Sequence, residues 1–468
     1  MIKSLTLNNF RAFRHASIEF APITILAGAN SSGKSSVIQA INGILQSRNE
    51  RHFPFDFVLN GDLTKLGGFR NVVHGHNAKN SFRVAIEFKQ NDKTYLADAT
   101  FKVDDESRHL FPREILLRSS DIGSLHVTWN QKKQRFKLNM QRANQTHLPE
   151  RTVFEMFVEL VNSDPKGGSD LVSRVVDENR KVNLDIAKAI IEERLELAKN
   201  GVESSSNDFG SALNEFATTP LFENIRKDFF SAFEALRRTV ANVGPIRAYP
   251  ARYYTIGRQF VVSDPMGESA SHALAVWKEE KNQKFQSVKD ALVQLELATD
   301  VNAVVELDEF LKLLIKPKGR AYPDTIADVG FGVSQALPML VADAALVKGG
   351  TLVVNQPEIH LHPSSQALLG NYFADRINSR RYVIETHSEY LITRLRLLIA
   401  TGRLTEDDVA IYYCSGTGIG SEVTRIFPRK NGKLDAAPPE FFTTYAADTF
   451  QLAMSVMERE EELQDAAE

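Results

Sequence analysis

A glycine-rich segment near the amino terminus carries the residues best suited to chemistry. In Gly28-Ala-Asn-Ser-Ser-Gly33-Lys34-Ser35, two glycines separated by four residues are followed by Lys-Ser, which is the P-loop pattern. Glycines let such a loop wrap closely, so that backbone N–H groups point at phosphate oxygens. Lys34 would then reach the β- and γ-phosphates, and the Ser35 hydroxyl would be a ligand of Mg²⁺. The segment predicts a site for a phosphate-bearing ligand.

Three later segments carry polar groups that could face the same ligand. Asp328–Gln335 opens a helix with two glycines and Ser334, and a glycine-rich helix start can bind phosphate through its free N–H groups and the helix dipole. Residues 352–363 end an apolar strand with polar groups, and Glu385-Thr-His387-Ser ends another strand with a histidine. The ordinary alternatives are a helix cap for Ser334 and a structural role for His387.

The periodicity of the apolar residues places these segments on strands and helices. Residues 1–27 have the pattern of strands, and a helical pattern follows the P-loop through Leu45. Alternation of apolar and polar residues over 81–142 predicts antiparallel strands, and helical periods follow from about 150 to 240. From 325 onward the predicted order is turn, helix, strand, helix, strand, helix, with strands at 351–354, 382–385, 409–413 and 423–427 and a last helix from about 445.

Composition bounds the class of protein. The 468 residues are 43% apolar and 25% charged with a net charge of −3, which argues against a disordered chain and against a protein that coats nucleic acid with its whole surface. A single cysteine, Cys414, excludes an internal disulfide and fits a reducing compartment. No apolar run reaches the ~20 residues that span a bilayer. We therefore expect a cytoplasmic protein without a membrane partner.

The motifs together resemble those of ATP-binding-cassette ATPases of the chromosome-maintenance and RecF kind. These proteins have a P-loop, a signature segment, a Walker B strand and a switch histidine in this order. More narrowly, the chain is similar to bacterial ATPases of the overcoming-lysogenization-defect type and their nuclease-free relatives. The segments that carry the resemblance are Asn9–Phe13, Gly28–Ser35, Gly244–Pro250, Val329–Gln335, Gln356–Pro363 and Glu385–Glu389.

The resemblance implies an architecture. The fold would be α/β, a P-loop ATPase head with an antiparallel β subdomain and a helical insertion and without a long coiled coil. The first lobe would span 1–145, the insertion 146–245, and the second lobe 246–468. Two copies would face each other head to tail around two ATP molecules, so that one copy supplies the P-loop and the other the signature serine, Ser334.

The resemblance also implies the site residues, with ATP and Mg²⁺ as cofactors. Arg11 occupies the position of an arginine near the phosphates, although Arg14 is an alternative, and His387 would contact the γ-phosphate. Ser35 and Asn355 would hold the metal, and Glu358, Gln356 and His387 would be the catalytic residues. The nucleotide would be bound by Arg11, Gly28, Asn30, Ser31, Ser32, Gly33, Lys34, Ser35, Ser36, Gly332 and Ser334.

The Walker B strand departs from the pattern of such ATPases, in which it ends in acidic residues. Here Asn355 and Gln356 stand at the two positions, and neither amide carries charge or serves as a base. A general base is worth roughly 10²–10⁴-fold in rate, and Glu358 is the nearest carboxylate. Either Glu358 takes over and hydrolysis is slow, which we favour, or the protein binds ATP tightly as a clamp with little turnover.

Several functions are compatible with these motifs. Relatives of this type belong to two-gene anti-phage systems such as PARIS and Septu, which implies an ATPase that controls a separate effector, a nuclease or a toxin. The alternative is a RecF-like repair clamp that binds DNA. Arg247, Tyr249 and Arg252 belong to a basic and aromatic patch that could either bind nucleic acid or pack internally. A nuclease in the same chain is disfavoured, because 405–440 lacks a spaced Glu and Asp-x-Asp set.

Overall fold

The computed structural model describes most of the chain. The described ranges are 1–47, 57–103, 110–130, 132–143, 220–255, 260–307 and 309–435, with shorter stretches between 157 and 216 and between 437 and 459. Most of the helical region predicted before 200 and the acidic end of the helix predicted from about 445 lie outside the described residues.

The strands form two sheets. In chain order they are β1 (Ile2–Phe10), β2 (Phe13–Glu19), β3 (Ile23–Gly28), β4 (Phe82–Gln90), β5 (Lys93–Val103), β6 (Leu110–Ser119), β7 (Gly123–Asn130), β8 (Arg135–Arg142), β9 (Val202–Glu203), β10 (Val240–Val243), β11 (Tyr254–Thr255), β12 (Asp300–Glu306), β13 (Phe310–Lys316), β14 (Asp324–Thr325), β15 (Gly350–Asn355), β16 (Arg380–Glu385), β17 (Val409–Thr417), β18 (Gly420–Pro428) and β19 (Leu434–Asp435).

Helices alternate with the strands in the second half of the chain. The helices are α1 (Lys34–Gln46), α2 (Phe69–Val72), α3 (Gly168–Val175), α4 (Pro220–Arg238), α5 (Ala270–Glu279), α6 (Gln283–Gln294), α7 (Phe331–Ala345), α8 (Pro363–Ala374) and α9 (Glu389–Ala400), and short 3₁₀ turns lie at His74–His76 and Glu406–Asp408.

The large sheet joins residues from both ends of the chain. Its strand order is β10-β15-β16-β3-β17-β18-β2-β1-β4-β5-β6-β7-β8-β9, with β19 on β18. The first five strands are parallel, and β3 lies between β16 and β17, with Ile25 opposite Ile384 and Ile411. The carboxyl ends of parallel strands are where ligands bind in such sheets. The P-loop after β3 therefore opens beside the ends of β15 and β16.

Both faces of the parallel strands are buried, which explains their nearly continuous apolar sequence. Leu26 of β3 belongs to a core that includes α1 and the antiparallel strands, whereas Ile25 belongs to a second core that includes α7 and α9. Every residue of β15 is buried. The predicted strands at 351–354, 382–385, 409–413 and 423–427 are confirmed.

The antiparallel strands predicted over 81–142 are also confirmed as β4 to β8. On α4, the rings of Phe229 and Phe233 pack against Phe88 of β4 at centroid distances of 5.6 and 6.4 Å. The apolar face predicted for this helix is therefore the face that covers the antiparallel meander formed by β4 to β8.

A second, four-stranded sheet of β11 to β14 was not predicted. Its buried residues share a core with α5, α6 and α7, in which Leu313 and Leu337 are 1% and 2% exposed. This layer supports α7, which carries the signature segment at its first turn. In the described part of the chain, no helix is both long and apolar enough to cross a membrane.

Candidate nucleotide-binding site

The loop between β3 and α1 depends on glycine at two positions. Gly28 has φ 139°, and a Cβ there would collide with the carbonyl oxygen of Cys414 on β17. Gly33 has φ 95°, and its Cβ would lie 2.7 Å from the ring of Phe13. Other residues rarely adopt these conformations. The two glycines therefore let the loop turn tightly against its neighbours, as the P-loop pattern predicts.

Lys34 lies inside the loop. Lys34 is 3% exposed, and its Nζ donates hydrogen bonds to the carbonyl oxygens of Gly28 and Ala29 at 2.9 and 2.6 Å. Burial lowers the pKa of Lys34, an effect that the nearby Glu385 opposes. Beside it, the hydroxyl of Ser32 is buried without a hydrogen-bond partner among the described residues. The ammonium of Lys34 and the hydroxyl of Ser32 therefore give the loop hydrogen-bond donors for an anionic ligand.

Glu385, at the end of β16, connects the loop to the Walker B strand. Its Oε1 accepts a hydrogen bond from Ser35 Oγ at 2.7 Å, and its Oε2 accepts one from the side-chain amide of Asn355. Asn355 and Glu385 are register partners in the sheet, and Glu385 is in turn opposite Leu26 of β3. Glu385 was not among the predicted site residues, although its position directly before Thr386-His387 at a strand end was a usable signal.

Glu358 and His387 contact each other at the same edge. Oε1 of Glu358 accepts a hydrogen bond from the backbone N–H of His387 at 2.7 Å. Glu358 is 8% exposed, and burial raises the pKa of its carboxyl. Burial, together with Lys34, lowers the pKa of His387. The lowered pKa favours the neutral imidazole of His387, and its backbone is held by Glu358.

A cavity of about 440 Å³ lies over the loop, within the range of small-molecule sites. Predicted residues line it, namely Arg11, Asn30, Ser31, Ser32, Gly33, Lys34, Ser35, Ser36, Gln356 and His387. Gln39, Asn71, His76 and Glu385 line it as well and were not predicted. Arg11 rather than Arg14 faces the cavity. Most of the lining residues are polar, as a triphosphate requires.

Five predicted residues do not line this cavity, namely Gly28, Gly332, Ser334, Asn355 and Glu358. Glu358 lies behind the wall, in contact with His387. Ser334 is 5% exposed, and its hydroxyl donates to the carbonyl of Phe331 at 2.9 Å within the first turn of α7. Gly332 lies against the loop of His360, whose carbonyl oxygen would be 2.9 Å from a Cβ at this position. One chain therefore does not bring the P-loop and the signature segment together.

Arg247, which the sequence placed in a basic patch, is only 5% exposed. Its guanidinium donates to the carbonyl oxygens of Gln335 and Asn355, both at 2.8 Å. Burial lowers its pKa to about 10. Internal packing was one of the two alternatives for the patch, and for Arg247 it is the correct one. Tyr249 and Tyr253 remain 79% and 49% exposed.

The residues around the cavity fit a nucleoside triphosphate with Mg²⁺. The loop offers Lys34 and the orphaned Ser32 hydroxyl to phosphate, and Ser35 and Glu385 offer oxygen atoms, which Mg²⁺ prefers. Among the described residues, no group of three or more histidine, cysteine, aspartate or glutamate side chains could hold a metal by itself. Mg²⁺ fits such a site because it binds through one or two protein groups plus phosphates and water.

Two SMC head domains are among the solved structures that match this chain, both with TM-scores below 0.5. The SMC head domain from Thermotoga maritima has 10% identity and a TM-score of 0.38, over 90% of this chain and 98% of that chain. An Smc head domain from Pyrococcus furiosus, solved with an extended coiled coil and bound to the C-terminal domain of ScpA, has 12% identity and a TM-score of 0.41, over 98% and 99% of the two chains.

Among curated proteins, the DNA double-strand break repair Rad50 ATPase of Methanococcus maripaludis is 34% identical over 97 residues. That match covers 20% of this chain and only 8% of Rad50. A protein-family profile described as an AAA ATPase domain matches residues 1–392. With the P-loop of Gly28–Ser35 inside this long match, the chain belongs to the AAA_15 family of AAA ATPase domains and is a P-loop ATPase of α/β fold.

Proposed function

We propose that this protein binds ATP with Mg²⁺ in the cavity over the P-loop and closes into a head-to-tail dimer that controls a separate effector. The observation that carries the proposal is the convergence of three strand ends. Lys34 and Ser35 follow β3, Gln356 follows β15, and Glu385 and His387 end and follow β16, all around one polar cavity. Such a set provides charge, hydroxyl and amide groups for a triphosphate.

Each side chain has a different role at this site. Lys34 offsets phosphate charge, and the backbone N–H groups of the loop hold the phosphate oxygens in place. The neutral form of His387, which its lowered pKa favours, can donate a hydrogen bond to the γ-phosphate. Gln356 can orient a water molecule but cannot take its proton, so we expect slow hydrolysis. Bound Mg²⁺ would neutralise charge on the phosphate oxygens.

Glu358 stays a prediction as the group that activates water. Burial raises the pKa of Glu358, which makes its carboxylate a stronger base. Its observed contact, however, is with the backbone N–H of His387, and it does not line the cavity. We therefore propose for Glu358 a second task, which is to hold the His387 loop against the cavity.

The separation of two parts of the site supports the proposed dimer. The amino-terminal end of α7 faces outward, with Gly330 and Phe331 exposed, while the P-loop cavity lies elsewhere on the same chain. Phe331 packs against Tyr249 and His360 at centroid distances of 5.1 and 5.6 Å. A second copy, turned head to tail, would place this helix end over the phosphates in the first copy.

The partner of the dimer distinguishes two functions. We favour a separate effector protein, a nuclease or toxin, in anti-phage defence, on the resemblance described above. A DNA-binding repair clamp is the second candidate, favoured by the partial match to a protein named for double-strand break repair. Purification of the tagged protein from its host separates them: an effector is expected to co-purify, whereas DNA alone would favour the clamp.

The nucleotide site is tested by binding of a fluorescent ATP analogue. Lys34→Ala removes the loop ammonium, and we expect at least about a tenfold loss of affinity, since a charge-assisted contact is worth some 1.5–3 kcal/mol. Lys348→Ala, an exposed lysine after α7, is the matched control and should bind as the wild type does. Equal affinity of the Lys34 and Lys348 variants would contradict the proposed site.

A further inference from the structure

Glu385 is a buried carboxylate without a cation in contact. It is 4% exposed, and both of its oxygens accept hydrogen bonds from uncharged donors, Ser35 and Asn355. In the described chain, no salt bridge is made to it. Lys34 acts on it electrostatically but directs Nζ to the carbonyls of Gly28 and Ala29. A buried charge is stable only when it is compensated, so this carboxylate calls for a cation.

The position of Glu385 in the sheet indicates which cation. It lies in the same row of the sheet as Asn355, one strand closer to β3. Asn355 ends the strand that carries an acid in ATPases of the resembling kind, and its amide has no charge. The charge absent from the end of β15 is thus present on the adjacent strand, at the cavity wall.

Ser35 is the second part of the arrangement. A serine hydroxyl has one proton to donate and two lone pairs to accept with. Because the proton of Ser35 is directed to Glu385 at 2.7 Å, the lone pairs of its oxygen are left for a metal. Ser35 also lines the cavity, one residue after Lys34. The hydrogen bond therefore prepares Ser35 as a ligand.

We propose that Glu385, in place of Asn355, is the acidic residue that holds Mg²⁺ at the nucleotide, through Ser35 and water. Asn355 is then a positioning residue whose amide fixes the carboxylate. This inference rests on the proposed ATP site, but it makes a separate claim about the metal. A carboxylate in the outer shell of a metal is worth about 10-fold to 100-fold in metal affinity.

The test is the affinity for a fluorescent ATP analogue, measured once in EDTA and once in Mg²⁺. The wild type should bind more tightly in Mg²⁺. Glu385→Gln, nearly the same shape, should show at least about a tenfold loss of Mg²⁺ affinity when Mg²⁺ is titrated into the analogue complex. Its binding in EDTA should not be weaker than that of the wild type, because the substitution removes a negative charge from the cavity wall. Glu280→Gln, at an exposed glutamate directly after α5, is the control and should respond to Mg²⁺ as the wild type does.

Each outcome decides a different claim. If Glu385→Gln responds to Mg²⁺ as fully as the wild type, or if the wild type does not respond, the metal role of Glu385 is wrong while the nucleotide site stands. If the wild type binds no analogue in either buffer, the proposed function itself is wrong. Should Glu385→Gln not fold, Glu385→Asp decides: the shortened carboxylate should weaken the Mg²⁺ response, and a full response would overturn the proposal.

Discussion

At the scale of single residues, two carboxylates organise the site, and only one of them lines the cavity. Glu385 lines the cavity and bonds to Ser35, whereas Glu358 lies behind it and bonds to the His387 backbone. The sequence identified Lys34, Ser35 and His387 by type and spacing. It did not identify Glu385, because a glutamate at a strand end has no motif of its own until the neighbouring strand is known.

The state of His387 can be predicted from its surroundings. Burial, and then Lys34, lower its pKa below the ordinary value of 6.5. As pH falls through 6.5, the unfolded chain takes up a proton before the folded one does. Neutral His387 therefore contributes stability above this pH, and the contribution is lost as pH falls towards the folded pKa.

We expect the ring protons of His387 to titrate below pH 6.5 in NMR spectra of the folded protein. His387→Gln assigns the resonance, because the signal should disappear in that variant. A midpoint for His387 at or above 6.5 would show that the imidazole is not desolvated as described here.

At the scale of elements, Arg247 ties the signature helix to the Walker B strand. It joins Gln335 in α7 to Asn355 at the end of β15 through backbone carbonyls. The sequence revealed the strands and helices well, because β3, β15 and β16 are short apolar runs and the meander alternates. It did not reveal the sheet of β11 to β14, nor which residues of the basic patch are buried, since burial depends on chain segments about 90 residues apart.

Arg247→Met should therefore destabilise the protein. The variant removes two hydrogen bonds to buried carbonyl oxygens together with a buried guanidinium, and we expect a loss of about 2–3 kcal/mol in the free energy of unfolding. Arg252→Met is the matched control. Arg252 makes an exposed ion pair with Asp328 at 2.7 Å, and such a pair is worth less than about 1 kcal/mol. Denaturation followed by circular dichroism compares the two, and equal losses would contradict the structural role of Arg247.

At the scale of the whole molecule, the parallel sheet cannot form until the two ends of the chain meet. β3 is inserted between β16 and β17, so the P-loop and its facing groups belong to sequence segments about 350 residues apart. Sequence motifs predicted this meeting. They also predicted a site shared between copies. In the single chain, the separation of α7 from the cavity supports this prediction.

The central claim, that two copies enclose ATP between Lys34 of one and the start of α7 of the other, can be measured by mixing two variants. Lys34→Ala disables the P-loop. Gly330→Asp places a negative charge at the exposed helix start, where φ is −58° and nothing lies within 4 Å of a new Cβ, so the fold should be kept. A mixed dimer retains one complete site, whereas each variant alone retains none.

Sedimentation velocity with ATP and Mg²⁺ gives the readout. The wild type should dimerise, each variant alone should stay monomeric, and the mixture should regain an ATP-dependent dimer. Dimerisation of Gly330→Asp as complete as that of the wild type, or a mixture as monomeric as its two components, would contradict a site shared between copies.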